Sequence, residues 1–387
     1  MEIRTLDPAD APAAFDLRSR AFGPLPPDRV ASRVERIAAA IPAGRELGCY
    51  EGTRLVATAR IHDHRQWWHG RDLAMAGIAG VAVAPEERGR GVGRLLMRTV
   101  LARCAELGSP LSVLYPATTP LYRSLGWEHA GGSYQLRFPA EALRALAGPP
   151  VALRRAGPAD AAEVREVLRR VHAARRDSGP LDPGEDNTRD RIAVGGYSYL
   201  AHDGYLDYDW GEGNRSLHID TLVAASADTA RALWAAVGSG ASVVDTVTAI
   251  ADPRDAVTWL AREPRSELIE NYRWMLRLVD APAAVSGRGY PATAAVETRL
   301  HLADEQLPAN AGDWTLRIAG GKGELVRAHG PAPADPPRLG IGALAALYAG
   351  VPTATLRACE LMTGGDPATD DALDAAFHAQ PFTLHRF

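Results

Sequence analysis

At 387 residues the chain exceeds what one hydrophobic core usually covers, so two or three domains are expected. Its net charge of -4 is spread along the chain without a basic block, which argues against nucleic acid as a partner. Cys49, Cys104 and Cys359 are too few and too scattered for a disulfide framework or a metal-ligand spacing, a usage that fits a reducing cytoplasm.

The chain opens on MEIRTLDPADAPAAF, which lacks the basic start and apolar core of a signal peptide. No apolar run reaches membrane-spanning length, so no membrane association is expected. From Ile3, IRTLDPADAPAAFDLRSRAF predicts a short strand, a Pro-Ala-Asp turn and an amphipathic helix. FGPLPPDRVASR follows with Asp28 as its one acid, and LGCYEGTRLVATARI predicts a strand, a tight turn and a strand. In IHDHRQWWHG, strand alternation puts Arg60, His62 and His64 on one face, and an arginine beside two histidines disfavours a metal cation. This stretch is either a solvent-facing strand or the wall of a substrate pocket, with His64 and Trp67 as its candidate contacts. No metal site is expected.

The next strand, LAMAGIAGVAV, carries no acid and runs into VAVAPEERGRGVGRLL. A glycine-rich passage from strand into helix exposes backbone N–H groups at a positive helix end, which suits an anion. A dinucleotide fingerprint needs glycines at relative positions one, three and six, whereas here they fall at 89, 91 and 93 with Arg94 next. A Walker loop fails for want of Gly-Lys-Ser/Thr. Further on, YPATTPLYRSLGWEHAG predicts a short helix bearing Tyr122 and a bend into a strand.

The opening pattern then returns. LRRAGPADAAEVREVLRRVH from Leu153 matches the segment at Ile3 in register, 150 residues later, and YSYLAHDGYLDYDW repeats the strand, turn and strand. The copies part at the glycine loop, where the second reads HIDTLVAASADTARALWAAV, with Ala and Ser in place of Gly. From Ala292 a third segment resembles neither copy: strands in AAVETRLHLAD and DWTLRIAGGKGELVRA, a proline-rich loop, and helices in GIGALAALYAG and DDALDAAFHAQ.

Arg88-x-x-Gly91-x-Gly93 after a strand, with LYRSLGW some thirty residues on, resembles the pyrophosphate loop and late helix of the GNAT acetyltransferases. Duplicated GNAT halves, the second degenerate, followed by a mixed α/β tail that ends on Phe387, are similar to the enhanced intracellular survival (Eis) family, known for N-acetylating aminoglycosides and other amines. The resemblance implies an α/β (α+β) fold with an active GNAT domain over 1–148, a degenerate one over 149–290 and a sterol-carrier-protein-like domain over 291–387. It implies acetyl-CoA as donor, a small-molecule amine as acceptor and a homo-oligomer, a hexamer in that family. Val81 and Val83 would pair with the pantetheine arm, and Arg88, Gly89, Gly91, Val92 and Gly93 would hold the pyrophosphate. Tyr122 would be the general acid and the free carboxylate of Phe387 the general base. Asp28, His64 and Trp67 would contact the acceptor. Arg386 beside the terminus makes the pocket less negative, which weakens its pull on polycations. Acetylation of protein lysines would use the same catalytic residues, and a lipid-binding protein relying on the tail is the non-catalytic alternative.

Overall fold

The computed structural model describes residues 1–146, 148–261, 263, 265–330 and 335–385. The repeated turn forms twice with one hydrogen bond in common. The Asp7 N–H donates to the Asp10 carboxylate at 2.9 Å, and the Gly157 N–H donates to the Asp160 carboxylate at 2.7 Å. In each copy the aspartate closes a 3-10 turn at the head of a helix, Ala11–Phe22 in the first and Ala161–Arg175 in the second. Proline at the start of the turn supplies a preset φ where no amide partner is needed.

Among the described residues, thirteen strands form one sheet that runs through both copies. On the first side lie Glu2–Thr5, Glu46–Glu51, Arg54–Trp68, Arg71–Val83 and Leu111–Leu114 in spatial order. On the second side the mirror series is Arg154–Arg155, Tyr197–Ala201, Gly204–Trp210, Ser216–Ala224 and Thr246–Ile250. The two sides are joined by an exchange of strands. Glu128–Pro139, from the first copy, pairs with Thr246–Ile250 of the second, while Glu267–Leu278, from the second, pairs with Leu111–Leu114 of the first. The two exchanged strands pair antiparallel with each other at the centre. Trp274, Met275 and Leu276 are thereby buried within the first copy's layers, so neither side has a complete core without the other.

A second, five-stranded sheet takes Lys322–Arg327, Gly312–Ala319, Val296–Ala303, Arg338–Gly340 and Met362–Thr363 in that order. Its apolar face is covered by helices Ile341–Tyr348 and Pro367–Phe377, whose Leu344, Tyr348 and Phe377 share one cluster with Trp68 and Trp274 of the large sheet. Within that junction the Arg277 guanidinium, fully buried, meets both Asp304 oxygens at 2.7 Å and donates to the Leu125 carbonyl at 3.0 Å.

The chain then returns to the large sheet. The Thr383 N–H donates to the Gly132 carbonyl at 3.0 Å and the Phe382 N–H to the Ser178 carbonyl at 3.0 Å. This close approach depends on Gly179, where a Cβ would lie 2.2 Å from the Phe382 oxygen. Phe382 and Leu384 are buried and hold the segment down between the two copies.

Candidate active site

The site begins where two parallel strands part. Arg71–Val83 and Leu111–Leu114 pair from Met75 with Leu111 to Ile78 with Leu114, and the pairing ends there. Arg71–Val83 continues, held only on its other side by Arg54–Trp68, so from Ala79 onward one edge of a central strand lacks a strand partner among the described residues. A bulge sits at the parting point: Gly80, with φ +58°, and Val81 together face Ala59. Past the bulge the Ala84 N–H donates to the Val56 carbonyl at 2.9 Å. Alternation turns the peptide groups of Val83 towards the open edge, where an extended polar chain can add as a strand.

The glycine loop closes the far end of this gap. Gly91 takes φ +80° and ψ 1° as the residue before helix Val92–Glu106, and no side chain caps that helix. The Leu95 N–H reaches the Gly91 carbonyl at 3.0 Å, so the amides of Val92, Gly93 and Arg94 stand outside the helix's own ladder. The loop is pinned from beneath by Glu87, a buried carboxylate that accepts from both Arg54 and Arg90. Arg88 and Arg94 are exposed and have no acidic partner among the described residues, which leaves two guanidinium groups beside the open amides. A Cβ on Gly93 would stand 3.6 Å from Val83 and 3.8 Å from Leu121, so loop, strand end and the helix Thr119–Arg123 converge.

Tyr122 lies on that short helix, 4 % exposed, in the same apolar cluster as Val81, Val83 and Val92 and edge-on to Trp127. Its hydroxyl makes no hydrogen bond among the described residues. Burial pushes the phenol above its ordinary pKa and keeps it protonated at neutral pH.

On the other side of the bulge a cavity of about 660 Å³ reaches Ala79 and Gly80. Helices Ala11–Phe22 and Pro27–Ala40 roof it, and Arg18, Arg29, Arg33, Arg36, Arg60 and His62 line it. Beneath lies Glu46, fully buried, which takes Arg18 at 2.5 Å and Arg60 at 3.4 Å. His62 stacks on His64 at 5.1 Å between ring centres. Burial, with Arg60 adding to it, drives the His62 imidazole down to about 3, and burial takes His64 down to about 4.

A family model described as an acetyltransferase (GNAT) domain matches residues 2–130, and another of the same description matches 162–278. A sterol carrier protein domain matches 281–384. The solved GCN5-related N-acetyltransferase from Kribbella flavida is 45% identical with a TM-score of 0.95, covering 100% of this chain and 98% of that one. The chain belongs to the GCN5-related N-acetyltransferases. Its place among the Eis homologues follows from the N-acetyltransferase Eis of Mycobacterium tuberculosis (strain CDC 1551 / Oshkosh), 28% identical over 353 residues and 85% of each chain. Eis1 from Mycobacterium abscessus, at 22% identity and a TM-score of 0.80, shares the fold. The protein is an acetyltransferase of two GNAT domains followed by a sterol carrier protein domain, and its family draws acetyl groups from acetyl-CoA. Among the described residues no helix is long and apolar enough to cross a membrane, and no group of three or more His, Cys, Asp or Glu side chains is placed to hold a metal ion.

The second GNAT half of this acetyltransferase shows what the loss of the glycines does. There Ser226 caps helix Ala227–Gly238 by accepting the Thr229 N–H at 3.2 Å, and the Thr229 hydroxyl donates to Asp203. Burial pushes the Asp203 carboxyl up, but hydrogen bonds from Thr229 and Ser226 outweigh it and leave the group below the usual range. A carboxylate already occupies the positive helix end, so a phosphate is repelled from it.

Of the residues singled out in the sequence, Val81, Val83, the loop from Arg88 to Gly93 and Tyr122 meet in one place. Phe387, with Arg386, lies outside the described residues. Asp28 is exposed on helix Pro27–Ala40 and does not line the cavity, and His64 stands one ring behind His62. Trp67 is 2 % exposed and packs on His172 of the second half at 6.0 Å, away from the cavity, because its backbone joins the two halves through Gly179 and Pro180. Sequence reading placed Arg60 on a possible pocket wall but missed Glu87 and the arginines that the two roofing helices bring to the cavity. The latter had a signal: Arg29, Arg33 and Arg36 recur at i, i+4 and i+7, one face of a helix.

Proposed function

We propose that the enzyme transfers an acetyl group from acetyl-CoA to the amine of a small molecule within one ternary complex. The observation that carries this is the meeting of an open strand edge, an uncapped helix start and a protonated tyrosine around one gap. In this reading Val81 and Val83 align the pantetheine arm, and the amides of Val92 and Gly93 with Arg88 hold the pyrophosphate across Gly89 and Gly91. The acceptor enters through the cavity that reaches Gly80. The amine nitrogen attacks the thioester carbon, the new C–N bond replaces the C–S bond, the amine proton passes to a base, and Tyr122 gives its proton to the departing thiolate. The same division of the chain, 1–148, 149–290 and 291–387, and a hexameric homo-oligomer belong to this reading.

An alkyl ammonium with a pKa of about 10 must lose a proton before it attacks. The half-buried His62 and the buried His64 are too weakly basic at about 3 and 4 to take it near neutrality. The free carboxylate of Phe387 fills the role in this reading. Support comes from the last described residue, whose His385 carbonyl accepts from the Tyr115 hydroxyl at 3.2 Å, just past the end of strand Leu111–Leu114. Two further residues extend no more than about 7 Å from that anchor.

Adding one glycine after Phe387 keeps a carboxylate and displaces it by up to about 3.5 Å. Turnover is expected to fall roughly 100-fold, with acetyl-CoA affinity and thermal stability unchanged. Full activity in the extended protein would remove the terminal carboxylate from the mechanism. A separate test addresses the loop. Gly91→Ala places a side chain in the left-handed region at a cost of about 1–2 kcal/mol, and the loop relieves it by turning the Val92 amide away. Calorimetry should then show acetyl-CoA binding weakened by about tenfold; unchanged binding would mean that these amides do not hold the donor.

A further inference from the structure

The charge of the acceptor cavity does not suit a cationic acceptor. Among the described residues five guanidinium groups line it, from Arg18, Arg29, Arg33, Arg36 and Arg60, and no aspartate or glutamate does. Glu46, the carboxylate beneath them, is taken by Arg18 and Arg60. Arg29, Arg33 and Arg36 have no acidic partner among the described residues, although they share one helix face. Partial desolvation at the cavity, with Arg36, Arg60 and Arg18 adding to it, holds the surface residue Arg33 below its ordinary value, and burial with Arg18 and Arg36 does the same to Arg60. Like charges gathered in a cavity of this size are relieved by a bound anion.

The donor does not supply that anion. The cavity meets the central strand at Ala79 and Gly80, where the reacting end of the donor belongs, while the loop lies beyond Val83, about 13 Å further along the strand. In the acetyl-transfer reading the phosphates of acetyl-CoA would therefore sit at the opposite end of the gap.

We propose that the acceptor is an amine that also carries an anionic group, a carboxylate or a phosphate, which Arg33 and Arg36, with Arg60 behind them, clamp while its amine faces Gly80. Guanidinium forks match both groups in bidentate geometry. Polyamines and aminoglycosides are repelled by the same charges. The inference rests on the acetyl-transfer reading and narrows its substrate class to zwitterionic or acidic amines of a size that about 660 Å³ can hold.

The test pairs amines that differ only in the anionic group, with the full-length protein, saturating acetyl-CoA and detection of released CoA. 4-Aminobutyrate is compared with 4-aminobutyramide, and 3-aminopropyl phosphate with 3-aminopropanol; spermidine serves as the cationic control. The anionic member of at least one pair should exceed its neutral partner by about 10–100-fold in kcat/KM, and which pair responds separates carboxylate from phosphate. In the R33Q/R36Q protein that advantage should disappear through a raised KM, with acetyl-CoA affinity unchanged; both positions are exposed on a helix, so folding is spared. A second measurement does not need turnover. With acetyl-CoA bound and ionic strength fixed, glutarate or inorganic phosphate should raise the Tm of the parent above its value in chloride and leave R33Q/R36Q unmoved. Turnover of neutral or cationic amines with no anion-specific stabilisation would overturn the proposal and leave acetyl transfer standing. Anion binding at these arginines with no acetylation of any amine would overturn the acetyl-transfer reading, and with it the assignment of the anion to an acceptor.

Discussion

Tyr122→Phe is expected to lower kcat by about 10²–10⁴-fold while acetyl-CoA binds as in the parent. The hydroxyl is the only group removed. It makes no hydrogen bond among the described residues, so its loss leaves no buried partner unsatisfied, and the ring keeps its edge-on contact with Trp127. Folding stability should barely change. The hydroxyl is needed only late in the reaction, when the C–S bond breaks and charge collects on sulfur, and an interaction made at that stage lowers kcat rather than affinity when it is lost. The raised pKa of the phenol does not disqualify it as the donor. The burial that disfavours a phenolate keeps the proton on Tyr122 until charge collects on sulfur. Single-turnover experiments would separate the chemical step from CoA release. Parent-like turnover in the phenylalanine variant would show that solvent, not Tyr122, protonates the thiolate.

The duplication was legible because its marks are local. Asp10 and Asp160 each fold back on an amide three residues earlier, a contact that needs only the order of neighbouring residues, so the same letters at the same offset make the same turn. The uncapped shape of the glycine loop was legible for a related reason. A helix start without a capping side chain shows in the letters, and the contrast of Gly91 with Ser226 is visible there alone. The exchange of Glu128–Pro139 with Glu267–Leu278 was not. Both strands sit in the middle of the sheet, and period-two patterning sets which face a residue joins, not which neighbour it pairs with. Trp67 shows the same gap, since its place is decided by residues 179 and 180 of the other copy. The arginine cavity failed differently. Its helical spacing was present in the sequence, but a single acid, Asp28, drew the weight that belonged to Arg29, Arg33 and Arg36 around it.

Asp304→Ala is expected to destabilise the protein by about 3–5 kcal/mol, because it leaves the fully buried Arg277 guanidinium without a counter-charge. The loss spreads beyond one pair. Asp304 also accepts from Asn310 at 2.9 Å and from the amides of Gln306 and Leu307 at 3.1 Å, and Asn310 holds Trp314 through its carbonyl at 2.8 Å. Arg277 in turn donates to the Leu125 carbonyl, three residues past Tyr122. The junction therefore ties the sterol carrier protein domain, the exchanged strand and the helix of the proposed general acid into one hydrogen-bonded unit. Urea unfolding followed by tryptophan fluorescence should show the transition moved to lower denaturant in Asp304→Ala. Replacing both partners, as Arg277→Met with Asp304→Asn, removes the stranded charge as well as the attraction while the Asn oxygen still accepts from the Gln306 and Leu307 amides, and should recover most of the stability. What the double variant does not restore is the donor to the Leu125 carbonyl. If that bond positions Tyr122, turnover stays low in the double variant although its stability returns; if turnover returns along with stability, the ion pair serves the fold alone.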